Sequence, residues 1–114
     1  MPTIYKLCPA TLWPDREETD VFAGSPIDHA DGYIHFSTAD QVKETAALYF
    51  RGETDLLLVA VDAGRLGPAL RYEASRGGAL FPHLYSALPL SAVLWARPLP
   101  VGTDGRHSFP DLPA

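Results

Sequence analysis

Apolar residues recur along this chain with two different periods, and the switches between them mark out its elements. Residues 33–36 alternate with period two, Tyr33 and His35 on one face and Ile34 and Phe36 on the other, as a strand requires. Immediately downstream the period lengthens. Over residues 39–51 Val42, Ala46, Tyr49 and Phe50 fall on one helical face, Lys43, Glu44 and Arg51 can be solvated, and Gly52 stands where a helix stops. Thr38-Ala-Asp-Gln41 reads as the capping box of that helix, the Thr38 hydroxyl and the Gln41 amide meeting its first free N–H groups.

The rest of the chain punctuates similarly. Residues 3–8 suit an opening strand. Residues 9–18 suggest a short acidic helix, with Leu12 and Trp13 inward and Pro14 in its first turn. Residues 20–32 show little periodicity, and Gly24-Ser25-Pro26 and Asp31-Gly32 mark turns in a long loop of the kind that often carries function. The unbroken apolar run within residues 55–62 predicts a central strand buried on both faces. Residues 63–68 suggest a turn or a single helical turn. Residues 69–74 alternate, with Leu70, Tyr72 and Ala74 opposite Arg71 and Glu73. A glycine-containing loop follows, then the aromatic segment Phe81-Pro-His-Leu-Tyr85 as a short strand or irregular piece, and a last strand within 91–99. Helix and strand mix without a βαβ rhythm, so the expected class is α+β, one small domain over residues 1–100 with a flexible tail at 101–114.

Composition narrows the function. A length of 114 residues supports one modest core, and a formal net charge of -5 leaves no basic footprint for nucleic acid or an anionic membrane. The single cysteine, Cys8, excludes an internal disulfide and fits a reducing compartment; with no signal-like start and no membrane-length apolar run, the expected location is cytoplasmic. The expected partner is a small molecule or nucleotide.

Three clusters could carry chemistry. His35 sits on a rigid strand next to a helix start, where N–H groups favour a polar or anionic ligand, and can serve as a ligand holder or an acid/base. The alternative is a strand histidine bonded to a backbone carbonyl. Glu73 shares a face with Arg71 and precedes Ser75-Arg76-Gly77-Gly78, whose N–H groups and guanidinium can approach a ligand; the alternative is a solvated ion pair. His83 and Tyr85 combine an imidazole oriented by Pro82 with a ring able to stack on a flat ligand, or else form a packed aromatic turn. Asp28-His29-Ala30-Asp31 with His35 downstream suggests a metal, but no metal-ligand spacing accompanies these residues, so no metal site is assigned. Cys8 lacks a basic sequence neighbour and reads as a core thiol.

Together, Ile4-Tyr5-Lys6, Gly24-Ser25-Pro26, Asp31-Gly32-Tyr33-Ile34-His35-Phe36-Ser37-Thr38, Tyr49-Phe50, Tyr72-Glu73 and Phe81-Pro82-His83-Leu84-Tyr85 resemble the DUF952 family of small bacterial proteins, from about residue 3 to 99. The resemblance implies an ADP-ribosyltransferase-like fold, a small split sheet with one main helix, and NAD as cofactor. It implies ADP-ribosyl transfer or N-glycosidic cleavage, with His35, Ser37 and Thr38 gripping the ribose and amide. Glu73 would stabilise the oxocarbenium-like ribose, Arg76 would hold phosphate, and Tyr85 or Tyr72 would stack on nicotinamide. His83 has no fixed role in that scheme and joins His35 and Glu73 as a third catalytic candidate. Phe36 stands where those enzymes often have a small residue. Two alternatives remain, a non-catalytic ligand-binding module and a His/Glu acid-base hydrolase, metal-assisted through His29 or Asp31.

Overall fold

A computed structural model describes residues 2–114, the side chain of Arg76 excepted. In chain order the strands are β1 Thr3–Pro9, β2 Val21–Phe22, β3 Ile34–His35, β4 Leu56–Asp62, β5 Leu70–Ala74, β6 Leu80–Leu84, β7 Leu88–Pro89 and β8 Val93–Pro98; the helices are α1 Pro26–Asp31 and α2 Val42–Tyr49. The class is α+β. The pairings are antiparallel and form two three-stranded sheets, β1-β4-β8 and β3-β6-β5, with β2-β7 as a short ribbon.

The apolar run of β4 is the centre, as its composition demands. Leu58, Val59, Ala60 and Val61 are fully buried because both faces of the strand are covered. Val59 and Val61 join Ile4, Cys8, Ile34, Phe36 and Leu84 in one core, so the β3-β6-β5 sheet lies over that face. Leu56, Leu58 and Ala60 join Tyr5, Leu7, Val42 and Ala46 in the other, beneath α2.

The two sheets meet where β3 gives way. Phe36 donates its N–H to the Pro82 carbonyl at 3.0 Å, but Pro82 has no N–H to return. The chain leaves β6 at that point, and Ser37 instead exchanges both backbone bonds with Tyr5 of β1, each 2.8 Å. Pro82 thus helps steer residues 35–37 from one sheet to the other.

Several expectations are corrected. Residues 9–18 form only a single 3-10 turn, Ala10–Leu12, and Leu12 is exposed. The supposed loop at 20–32 contains β2 and α1: Ser25 and Asp28 form a capping box around Pro26, and Gly32, left-handed at φ 86°, ends the helix. The short helix that accompanies α2 is therefore α1, at residues 26–31 rather than within 9–18. α2 is shorter than its apolar pattern, and Tyr49 is exposed. Only the Gln41 half of the second capping box forms, its Oε1 accepting from Thr38 N–H at 3.0 Å, while Thr38 contributes its carbonyl. Residues 101–114, expected to trail as a tail, fold back instead. Phe109 and Leu112 pack on the α2 core, and Tyr5 donates its hydroxyl to the Pro113 carbonyl at 2.6 Å. Among the described residues no helix is long and apolar enough to cross a membrane.

Candidate functional site

The β3-β6-β5 sheet turns Ile34 and Leu84 into the core and its polar alternates outward, which places the sequence-derived candidates on one surface. His35 and His83 are direct cross-strand partners, their ring centroids 6.0 Å apart and edge to face. Tyr33 stacks on His83 at 4.0 Å and 24°, touches His35 at 4.7 Å and leans on Tyr85 at 5.4 Å.

Glu73 enters from β5. Its Oε1 accepts from the Tyr85 hydroxyl at 2.6 Å and from His83 Nδ1 at 2.9 Å. These two bonds, Tyr85 first, hold the Glu73 carboxyl below the usual carboxylate range, and the same contact pushes the Tyr85 phenol up. A carboxylate can only accept, so His83 carries its proton on Nδ1 in this bond and Nε2 is the basic nitrogen. Arg71 lies over the Tyr85 ring at 4.9 Å.

His35 is held differently. Its Nδ1 faces Asp28 Oδ1 at 2.6 Å and its Nε2 faces Asp31 Oδ2 at 2.8 Å. Asp28 is a buried hub, since it also accepts from His35 N–H, from Ser25 N–H and Oγ, and from the buried Lys6 ammonium. Burial alone would raise its pKa, but the His35 bond, the Lys6 charge and the backbone donors override that and hold the carboxyl far below the usual range. Burial lowers the pKa of Lys6 while Asp28 draws it the other way. Lys6 also donates to the His35 carbonyl at 3.0 Å, so one ammonium ties β1 to both α1 and β3.

Between these elements and α2 lies a cavity of about 480 Å³. Tyr33, His35, Phe36, Ser37, Phe81 and His83 form one side, Thr45 and Tyr49 of α2 with Phe50 at its C-terminal end the other, and Lys6, Ile27 and Asp31 the end near α1. Of the sequence-derived candidates, His35, Ser37 and His83 line it. Ser37 bonds Thr45 across it, hydroxyl to hydroxyl at 3.1 Å.

The other candidates stand elsewhere. Glu73 and Tyr85 do not line the cavity; they sit behind His83, because their strand positions put them on the flank of its ring rather than in front of it. Thr38 is likewise off the wall, and the cavity runs along the flank of α2 rather than at its N-terminus. Tyr72 occupies the opposite side of β5, across from Pro82, and cannot stack where Tyr85 does. The Arg76 side chain lies outside the described residues. Phe36 contributes to the wall with its ring mostly in the core, 3% exposed. His29 is exposed, and among the described residues no group of three or more His, Cys, Asp or Glu converges as metal ligands would. Cys8 is buried, which pushes its thiol up to about 11.

Sequence reasoning missed Lys6, and it weighed Asp28 only as a metal ligand, not as the buried partner of Lys6 and His35. Ser25-Pro26-Ile27-Asp28 is a legible helix start, an N-cap with an acid three residues on and proline at N1, and it would have placed Asp28. Nothing local announces that Lys6, in an apolar strand, is its partner.

The profile described as Protein of unknown function (DUF952) matches residues 7–96. The chain belongs to the DUF952 family. In its fold, this DUF952 chain is similar to protein CC0527 from Caulobacter crescentus. The crystal structure of CC0527 superposes with a TM-score of 0.87 at 45% identity over 93% of each chain. Its solution NMR structure gives a TM-score of 0.81 at 46% identity, covering 93% of this chain and 91% of that one. No curated protein matches the chain.

Proposed function

We propose that this DUF952 protein binds a nucleotide-type small molecule, NAD or a close relative, in the cavity beneath Tyr33, and cleaves its N-glycosidic bond with His83 as the base. The observation that carries the reading is the Glu73–His83–Tyr33 arrangement: a buried imidazole with one nitrogen fixed by a carboxylate, a tyrosine stacked on its face, and the ring on a cavity wall. The cavity volume falls in the range of small-molecule sites, and its aromatic lining with a few polar groups is the usual composition of such sites. NAD as the ligand class, and an ADP-ribosyltransferase-like fold, come from the family resemblance.

In this scheme Glu73 is not the group that faces the ribose. It positions His83, whose Nε2 takes a proton from an attacking water or acceptor hydroxyl. The new bond forms at the ribose carbon as the bond to nicotinamide breaks, and the electron pair leaves with the nicotinamide nitrogen. Glu73 then supports the imidazolium. NMR titration with NAD tests it. Shifts at the His83 and Tyr33 rings, with release of nicotinamide, are expected; unmoved rings at millimolar NAD overturn it.

One observation favours a second reading. Both nitrogens of His35 are already engaged by carboxylates, at 2.6 and 2.8 Å, as in a pocket that binds without reacting. In that case the ligand raises the melting temperature and is recovered unchanged.

A further inference from the structure

We propose that Asp31 occupies, within the protein, the place of an acidic group of the ligand, and that His35 Nε2 is the centre of an oxyanion site opened when Asp31 is displaced. The inference rests on the reading of this cavity as a ligand site and adds the chemical class it takes, a ligand bearing phosphate or carboxylate.

The two carboxylates on His35 differ in kind. Asp28 is 2% exposed and is fixed by Ser25, Lys6 and the His35 backbone as well as by the ring. Asp31 has a side chain 42% exposed, sits on the last residue of α1 beside the left-handed Gly32, and lines the cavity with His35. Its 2.8 Å contact with Nε2 is one carboxylate oxygen held at the solvent side of an imidazole. A carboxylate oxygen can only accept, so Nε2 presents a donor towards Asp31, and an anionic oxygen is the best partner for it. Asp28 holds the ring in that orientation whether or not Asp31 is present. Lys6 lines the same cavity, and its ammonium has three donors, of which Asp28 and the His35 carbonyl take two partners' worth. The site therefore keeps a fixed imidazole donor on the same cavity lining as the Lys6 ammonium, and the exposed acceptor on that donor is Asp31.

An exposed ion pair is worth little, so a ligand oxyanion can exchange with Asp31 at small cost. Removing the internal competitor should tighten anion binding by roughly two- to fivefold, which is the fold-change that such a weak pair corresponds to. The test is titration of the full chain and of Asp31→Asn with inorganic phosphate, and in parallel with acetate. The side-chain nitrogens of His35 and the carboxyl carbons of Asp28 and Asp31 are followed by NMR. The expected result is that phosphate or acetate moves the Asp31 carboxyl signal towards that of a solvated carboxylate and shifts His35 Nε2, while the Asp28 signal stays. Asp31→Asn should bind the same probe more tightly, and His35→Asn should abolish the effect. Tighter binding of one probe names the ligand's acidic group. Anion binding that leaves the Asp31 signal in place overturns the inference, as does an Asp31→Asn affinity equal to or below that of the parent. Failure with phosphate and acetate is distinct from failure of the nucleotide reading, which is scored at His83 and Tyr33 with NAD.

Discussion

Replacing Asp28 by asparagine keeps the shape of the side chain and removes the carboxylate charge paired with Lys6. Both residues are almost completely buried, Lys6 at 4% and Asp28 at 2%, and their charged atoms lie 3.1 Å apart. Leaving one member of such a pair unpartnered costs about 3–5 kcal/mol, because the remaining ion keeps its desolvation penalty without its counter-charge. Loss of the carboxylate that accepts from Ser25 weakens the start of α1 by about a further 1 kcal/mol. A domain of this size has about 5–15 kcal/mol of stability in total, so Asp28→Asn should lie close to the limit of folding. Urea unfolding at neutral pH, followed by the fluorescence of Trp13 and Trp95, measures the loss. The double variant Lys6→Met with Asp28→Asn should recover much of it, since no uncompensated ammonium is left. The pH dependence has a definite sign. Asp28 has a folded pKa below its unfolded value, so its contribution is complete above the ordinary aspartate pKa of about 3.9 and erodes as the pH falls below it towards the depressed folded value. A single-variant loss below about 1 kcal/mol, with no recovery in the double variant, would refute the hub argument.

Other expectations follow from separate contacts. Glu73→Gln should return the Tyr85 phenol towards the ordinary tyrosine pKa, since the carboxylate bond is the first cause of its upward shift; the phenol titration read by NMR checks this, and an unchanged titration rejects the contact. Gly24→Ala should cost about 1–3 kcal/mol, because Gly24 has φ +113° and an added Cβ would stand 3.1 Å from Asp28 Cβ; a neutral effect on thermal unfolding would remove the backbone argument. Deleting residues 108–114 should cost about 2 kcal/mol or more by uncovering the α2 core where Phe109 and Leu112 pack and by freeing the Tyr5 hydroxyl; calorimetry showing an unshifted midpoint would mean that the segment adds nothing.

The strands were legible because their patterns are local. The apolar run of β4 and the alternation of β5 carry their own burial, and the Tyr33–Phe36 alternation places His35 on the outward face. The same parity brings His35 and His83 together once β3 and β6 pair, so two of the three catalytic candidates sharing a wall followed from period two alone. The role of Glu73 did not follow. Its place depends on the register of β5 against β6, where Glu73 pairs with Phe81 and reaches His83 diagonally, and no sequence rhythm specifies a diagonal. The C-terminal segment misled for a related reason. Its proline and glycine content predicts weak local structure, whereas Phe109 and Leu112 are held by a surface built from β1, β4 and α2, far away in sequence.

The buried Lys6–Asp28 pair accounts for the position of the cavity more directly than any candidate on its wall. β1 belongs to one sheet, β3 to the other, and α1 to neither, yet a single ammonium bonds the carboxylate of α1 and the carbonyl of β3. Pro82 helps release the chain from β6, and Ser37 then pairs with Tyr5, so residues 35–37 are pinned to β1 by backbone on one side of Lys6 and by its side chain on the other. Between that pinned segment and α2, which rests on the opposite face of β1 through Val42 and Ala46, the elements enclose space. An apolar pair at positions 6 and 28 could match the stability, since buried ion pairs are often no better than well-packed hydrophobic residues. It could not reproduce the orientation of His35, because Asp28 Oδ1 bonds both the ring and the backbone N–H of that residue. A Lys6→Met, Asp28→Leu variant separates the two contributions. It should lose about 1 kcal/mol, the share of the α1 cap, rather than the cost of an unpaired charge, and yet lose phosphate binding at His35; retained phosphate binding would show that the imidazole is held by something else.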